Sequence, residues 1–317
     1  MDDMRFERRV AIVTGGGRGM GRAHCLELAR RGAKVVVNDL GTALDGSGST
    51  TGLADDVVRE IVEAGGIAVA NGDSVTTEEG AAGIAKTAID AFGRIDILVH
   101  NAGTATYAPF AEMSYQMYRD LVSVHLDGGF LTAKAVWPHM QRAGYGRIIF
   151  ITSQAGLSGF PHMAHYGAAK TGLVGLSRSL AVEGAEFGIK ANTLGVAALT
   201  RMMDNFFETG DDDKPDMPGS SENWWRRFLR PEMVSPVVAY LAHEECPITG
   251  EILDTSGGHV AFQFLGTTPG FGDLGLTAEM VRDNFSTIVD PKGYDVFKPA
   301  SDFLEWRNGK IIDMGAE

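Results

Sequence analysis

Seven short runs rich in β-branched residues recur along the chain, and stretches of helical periodicity separate most of them. The runs are RVAIVT (9–14), KVVVND (34–39), GIAVAN (66–71), DILVHN (96–101), RIIFIT (147–152), IKANTL (189–194) and EILDTS (251–256). Apolar runs this short and continuous read as strands buried on both faces. Helical spacing covers 53–64, 76–92, 114–142 and 164–187. Strand alternating with helix is the signature of βαβ units, and their right-handed crossovers predict an α/β fold: one doubly wound, parallel, seven-stranded sheet with helices on both faces. A single domain is expected over 1–265, with 266–317 as a C-terminal extension that wraps the domain or a neighbouring subunit, because its weak periodicity offers no second core. Two segments break the rhythm. GTALDGSGSTTG (41–52) has the Gly/Ser/Thr content of a loop, and the aromatic, acidic and Pro/Gly-rich stretch 199–230 reads as a lid with helical ends.

Directly after the first run stands TGGGRGMG, residues 14–21, followed by apolar positions at helical spacing. Strand, glycine turn and helix N terminus in that order form a site for a pyrophosphate, since free N–H groups attract it and missing side chains let it approach. Gly15, Arg18, Gly19, Met20 and Gly21 are therefore candidate cofactor contacts. Asp39 ends the second run, eighteen residues beyond Gly21, where a carboxylate can accept from both hydroxyls of an adenosine ribose. It would repel a 2′-phosphate, which favours NAD over NADP; Arg18 pulls the other way, and a plain turn-forming role for Asp39 is the bland reading. Asp73 and Ser74 after the third run, and Asn101, Ala102 and Gly103 after the fourth, sit at the same strand ends; singly, each is more often a turn residue than a ligand.

Tyr166 and Lys170, in HYGAAKTG, lie four apart on an expected helix and share a face, with only small residues between them. An adjacent ammonium is expected to lower a tyrosine from its ordinary pKa of about 10 towards a useful base. Ser153, thirteen residues before Tyr166 at the end of the fifth run, can bond the same substrate oxygen. The three suggest an alcohol/carbonyl site: Ser153 orients the oxygen, Tyr166 exchanges its proton, and Lys170 tunes Tyr166 and can bind a ribose hydroxyl. Alone, such a tyrosine and lysine are most often a solvated helix face; their order after the glycine loop gives them weight.

These motifs, with the closing TGEILDTSGG, resemble the short-chain dehydrogenase/reductase family over residues 6–262. Within it, VVVNDLG, DGSGS, VANGDSV, VHLDGGF, YGRIIF and NTLGVAALTRM look most like the (3R)-hydroxyacyl-CoA dehydrogenases of type 2 multifunctional enzymes, which include 17β-hydroxysteroid dehydrogenase type 4, and their stand-alone actinobacterial relatives. The resemblance implies a Rossmann-type fold and NAD-dependent oxidation of a secondary alcohol. It implies a (3R)-3-hydroxyacyl-CoA or a steroid side-chain thioester as substrate, a 17β-hydroxysteroid as the alternative, and a homodimer or homotetramer built through 114–142 and 164–187. Two positions depart from it: His125 stands where many members have Asn, and Val196-Ala197 where Pro-Gly is usual. A rival of another class is an NAD-binding regulator or scaffold without turnover.

Composition narrows the partners. A net charge of −13 argues against a nucleic-acid surface, and no apolar run approaches the ~20 residues that span a bilayer. The acidic opening MDDMRFERRV is unlike a targeting segment, so the cytoplasm is the default location. Cys25 and Cys246 lack metal-ligand spacing and read as reduced thiols, and no metal site is expected. His162 and His165 are expected to line the substrate mouth, and WWRRFLR (224–230) stands evenly between a clamp for a CoA phosphate and a hinge or interface.

Overall fold

The computed structural model describes residues 4–50, 52–200, 222–297 and 300–314. Most of the lid expected from sequence, residues 201–221, lies outside them. Two compact units divide the chain, one up to Phe262 and one from Gln263 onward.

The first unit carries the sheet. Its strands are β1 (Val10–Thr14), β2 (Lys34–Asn38), β3 (Ile67–Asn71), β4 (Ile97–His100), β5 (Gly146–Thr152), β6 (Ile189–Ala197), β7 (Ile252–Ser256) and β8 (His259–Gln263). They are ordered β3-β2-β1-β4-β5-β6-β7-β8, and neighbours from β3 through β7 pair in parallel. The sheet is thus one strand wider than the seven expected. Gly257 and Gly258, both at positive φ (57° and 84°), form a two-residue turn that folds β8 back beside β7. Two such residues are what the tightest hairpin turn requires.

Side-chain alternation along the strands explains why the runs are apolar throughout. Ala11, Val13, Val35, Val37, Ile97, Val99, Ile149 and Ile151 enter one core cluster, while Val10, Ile12, Val36, Leu98, Ile148 and Phe150 enter another on the opposite face. Helices α1 (Gly19–Arg30) and α2 (Leu53–Glu63) contribute to the first cluster; α3 (Glu78–Phe92) contributes to the second. The expected helical stretch 114–142 is more complex than its periodicity suggests. It contains α4 (Tyr115–Val122), a π-helical turn (Ser123–Asp127) and α5 (Gly128–Ala143), with helical backbone angles at both junctions. Such turns insert one extra residue per turn and occur frequently at functional sites. After β5 come the short α6 (Gln154–Leu157) and the long α7 (Ala164–Glu183).

Strand order reverses between β1 and β4, which leaves a crevice at their C-terminal ends, the usual ligand position in open α/β sheets. The second unit, by itself, holds α-helical segments at Ala278–Asp283, Phe285–Ile288 and Ala300–Asp313, an antiparallel bridge between Thr267 and Asp295, and ring contacts among Phe297, Phe303 and Trp306.

Candidate active site

A cleft of about 630 Å³ opens along the C-terminal ends of β1, β2 and β4. Gly15, Arg18, Gly19, Met20, Gly21, Asp39, Asp73, Ser74, Asn101, Ala102, Gly103, Tyr166 and Lys170 all line it, so the fold brings together residues up to 155 positions apart. Ser153 is not among the residues that line the cleft but hydrogen-bonds Tyr166, which is.

The glycine loop is shaped by close approach. Gly15 has φ +64°, and a Cβ there would stand 2.9 Å from the Ala102 Cα. A Cβ on Gly21 would stand 2.0 Å from the Gly15 carbonyl oxygen. Helix α1 begins with Arg18 in extended conformation, without a side-chain cap and without an acid in its first turn. Its first N–H groups are thus left for a ligand, which is the donor set an anionic pyrophosphate needs. Asp39 closes the loop from the other side: Oδ2 accepts from the Gly17 N–H at 2.8 Å and Oδ1 from the Gly41 N–H at 2.7 Å. Asp73 accepts from the Asn71 side-chain amide at 2.8 Å, and its carbonyl accepts from the Asn38 side-chain amide at 2.8 Å. These residues fit a nicotinamide dinucleotide.

Sequence reasoning missed the support beneath this loop. The Thr14 hydroxyl accepts from the N–H groups of Asn101 and Ala102, each at 3.1 Å, and lies 3.3 Å from His100 Nδ1. His100 Nε2 donates to the His125 carbonyl at 3.1 Å. The end of β1, the end of β4 and the π turn are therefore stitched together beneath the cleft. A threonine and a histidine at strand ends carry no motif, so only topology could reveal the link. The 41–50 loop also joins the cleft, since Leu44 accepts from the Ala105 N–H at 2.9 Å, drawing the loop across the ends of β2 and β4.

Tyr166 and Lys170 lie on the buried face of α7. The expected lowering of the tyrosine is not found. Burial pushes the Tyr166 phenol up to about 12; a hydrogen bond from Ser153 works in the other direction, and Tyr107 adds to the rise. Burial likewise brings Lys170 down to about 7. Lys170 Nζ donates to the Ile151 carbonyl at 2.7 Å and lies 5.4 Å from the Tyr166 ring centre. Each group is held towards its uncharged form because both side chains are buried, and the ammonium is satisfied by backbone rather than by the phenol.

One of the two histidines expected at the substrate mouth departs from that place. His165 is fully buried, not at a mouth, and its Nε2 lies 2.8 Å from the Thr106 hydroxyl. His162 is exposed, with a strained φ of +63°. His125, 1% exposed, places its ring edge-on to Tyr166 at 5.2 Å. Val196 lines the cleft from the end of β6. Trp224 and Phe228, with ring centres 5.2 Å apart, belong to α8 (Glu222–Phe228). A separate cavity of about 360 Å³ lies among Arg5, Arg8, Arg9 and Arg94 near the starts of β1 and β4, remote from this chemistry.

A doubly wound sheet with an open helix N terminus at its switch point, and a buried tyrosine and lysine beside it, defines an α/β oxidoreductase of the nicotinamide-dependent class. The comparisons agree in detail. The family model described as short chain dehydrogenase matches residues 9–210, and the chain belongs to that family. It is 47% identical over 252 residues to a short-chain type dehydrogenase/reductase of Mycobacterium tuberculosis, covering 80% of this chain and 83% of that one. It is 39% identical over 291 residues to the peroxisomal multifunctional enzyme type 2 of Mus musculus, covering 90% of this chain but only 37% of the mouse protein. A crystal structure of a short chain dehydrogenase from Mycobacterium avium superposes with a TM-score of 0.75 at 34% identity, covering 92% of this chain and 99% of that one. The chain is an oxidoreductase acting on CH–OH groups. Among the described residues, no helix is long and apolar enough to cross a membrane.

Proposed function

We propose that this chain oxidises a secondary alcohol to a ketone with NAD, and that its substrate is a (3R)-3-hydroxyacyl-CoA, a steroid side-chain thioester being within the same class. One observation carries the reaction: a buried Tyr166, hydrogen-bonded by Ser153 and backed by Lys170, stands in the same cleft as the open N terminus of α1. Likeness to the dehydrogenase part of the multifunctional enzymes supports the thioester, and Asp39 supports NAD, because its carboxylate would face a 2′-phosphate with like charge. The reading further assigns a homodimer or homotetramer and a cytoplasmic location.

When bound, the oxidised cofactor supplies the hydride acceptor and a positive charge in the cleft. The backbone N–H groups of Gly19, Met20 and Gly21 would hold its pyrophosphate, and Asp39 its adenosine ribose. Ser153 orients the substrate oxygen by hydrogen bonding. Tyr166 exchanges the hydroxyl proton at its phenolic oxygen. Burial leaves the phenol protonated, the form that donates in reduction; oxidation needs the phenolate, which a positive charge beside it favours. Lys170 is near its titration point at neutral pH, so it can carry that charge or release it.

Side-by-side kinetics on a (3R)-3-hydroxyacyl-CoA series and on 17β-hydroxysteroids, each with NAD and NADP, test the substrate. Inert thioesters with active steroids overturn the first choice, and silence across both with intact NAD binding favours a scaffold. Tyr166→Phe tests the chemistry: turnover is expected to fall by about 10²–10⁴. Near-normal turnover would refute the role of Tyr166.

A further inference from the structure

The segment leaving β4, residues 104–108, runs beside Tyr166 and is tied down by histidines from two different elements. From the π turn, His125 Nε2 meets the backbone of Thr104, 2.8 Å from its carbonyl oxygen and 3.1 Å from its N–H. From the start of α7, His165 Nε2 meets the Thr106 hydroxyl at 2.8 Å. A third tie comes from the strained His162, whose carbonyl accepts the Ala108 N–H at 3.1 Å. Room for the His125 ring exists only because residue 103 is glycine: a Cβ there would stand 2.4 Å from His125 Cε1.

One ring nitrogen cannot both donate and accept, so the tautomer of His125 follows from its other nitrogen. Nδ1 is buried and has no partner among the described residues. A buried N–H without an acceptor is costlier than a buried lone pair without a donor, so the proton sits on Nε2 and is donated to the Thr104 carbonyl. The same ring packs its edge on Tyr166 with centres 5.2 Å apart, and His165 directly precedes Tyr166 in sequence. Of the two side chains that hold segment 104–106, His125 thus packs directly on the tyrosine, and His165 anchors the turn of α7 that carries it.

We infer that His125 and His165 are positioning residues, a two-histidine clamp that fixes segment 104–106 against Tyr166 and so sets the distance between the phenol and a substrate oxygen. The inference rests on the reading of Tyr166 as the proton-exchanging group. Burial favours the neutral form of both histidines, and for His125 the nearby Lys170 lowers it further. Misplacing a reacting group by about 1 Å can cost around a hundredfold in rate without altering affinity for the remote parts of the ligands.

The test uses the full chain and four variants: His125→Ala, His165→Ala, and their amide counterparts His125→Gln and His165→Gln, whose side-chain N–H can still donate to Thr104 and Thr106. Expected are a drop in kcat of roughly 10–100-fold for each alanine variant, an NAD dissociation constant within about twofold of wild type, and recovery of most of the rate in the glutamine variants. Hydrogen exchange of the 102–108 amides should speed up in both alanine variants and not in their glutamine counterparts. Thr106→Val repeats the His165 test without touching a histidine, in case a histidine variant fails to fold. Normal kcat in the alanine variants overturns the inference, as does equal impairment of alanine and glutamine forms or unchanged exchange at 102–108. Tyr166→Phe, run alongside, separates the two claims: if it keeps turnover, the proton-exchange reading fails; if it loses turnover while the histidine variants are normal, only the clamp fails.

Discussion

Lys170→Met removes one buried titrating group and should flatten the rise of stability between about pH 7.5 and 9. Below about pH 7 the folded chain carries the Lys170 charge at a buried position, as the unfolded chain carries it in water. Above that pH the folded form sheds the proton while the unfolded lysine, with its ordinary value of 10.5, keeps it. The unfolded state then binds more protons, so stability increases with pH, by about 1.4 kcal/mol per unit for one group. Over the chosen window the gain attributable to Lys170 is roughly 2 kcal/mol, and it levels off near 10.5, where the unfolded chain also deprotonates. Tyr166 acts with the opposite sign, since its folded value of about 12 exceeds its ordinary 10, but only at pH near and above 10. Urea unfolding followed by circular dichroism, at both ends of the window, gives wild type minus variant directly. Equal pH dependence in the two proteins would refute the account of Lys170 as a lysine whose ammonium is held off the phenol and penalised by burial.

Asp96 is fully buried and accepts from Arg9 at 3.1 Å, from Arg94 at 2.6 and 2.7 Å and from the Val10 N–H at 2.9 Å; Asp96→Ala should lower unfolding free energy by about 3 kcal/mol while leaving kcat unchanged, because the cluster sits at the far end of the sheet. Gly21→Ala puts a methyl 2.0 Å from the Gly15 carbonyl, so calorimetric titration should show at least tenfold weaker NAD binding together with a lower melting temperature. Asp39→Ala should weaken NAD roughly 10–100-fold and narrow the preference over NADP, read from kcat/KM with each cofactor; an unchanged ratio would show that another group selects the cofactor.

Much of this was legible before any coordinates. Buried parallel strands must be apolar on both faces, so seven of the eight strands announce themselves as β-branched runs. The residues assembled in the cleft come from strand C-terminal ends, where the glycine loop and the 101–103 turn already stand out. The eighth strand was less visible, because HVAFQ is half exposed and only the glycine pair before it signals a hairpin. The π turn was invisible, since one extra residue hardly disturbs the apolar spacing of 114–142.

Local chemistry by itself therefore determined the sheet and singled out the glycine turn before α1, Ser153, Tyr166 and Lys170 as candidates, because each depends on residues close in sequence or on a repeating pattern. Tertiary structure alone decided their electrostatics and their frame. Whether an ammonium lowers a neighbouring phenol depends on how much water each has lost and which acceptor the ammonium meets first, and here Lys170 meets Ile151 while burial raises Tyr166. Likewise, nothing in the spacing of His100 and His125 shows that the first bonds the backbone of the second or that the second packs on Tyr166, since that follows from strand order and from one extra residue in a helical turn.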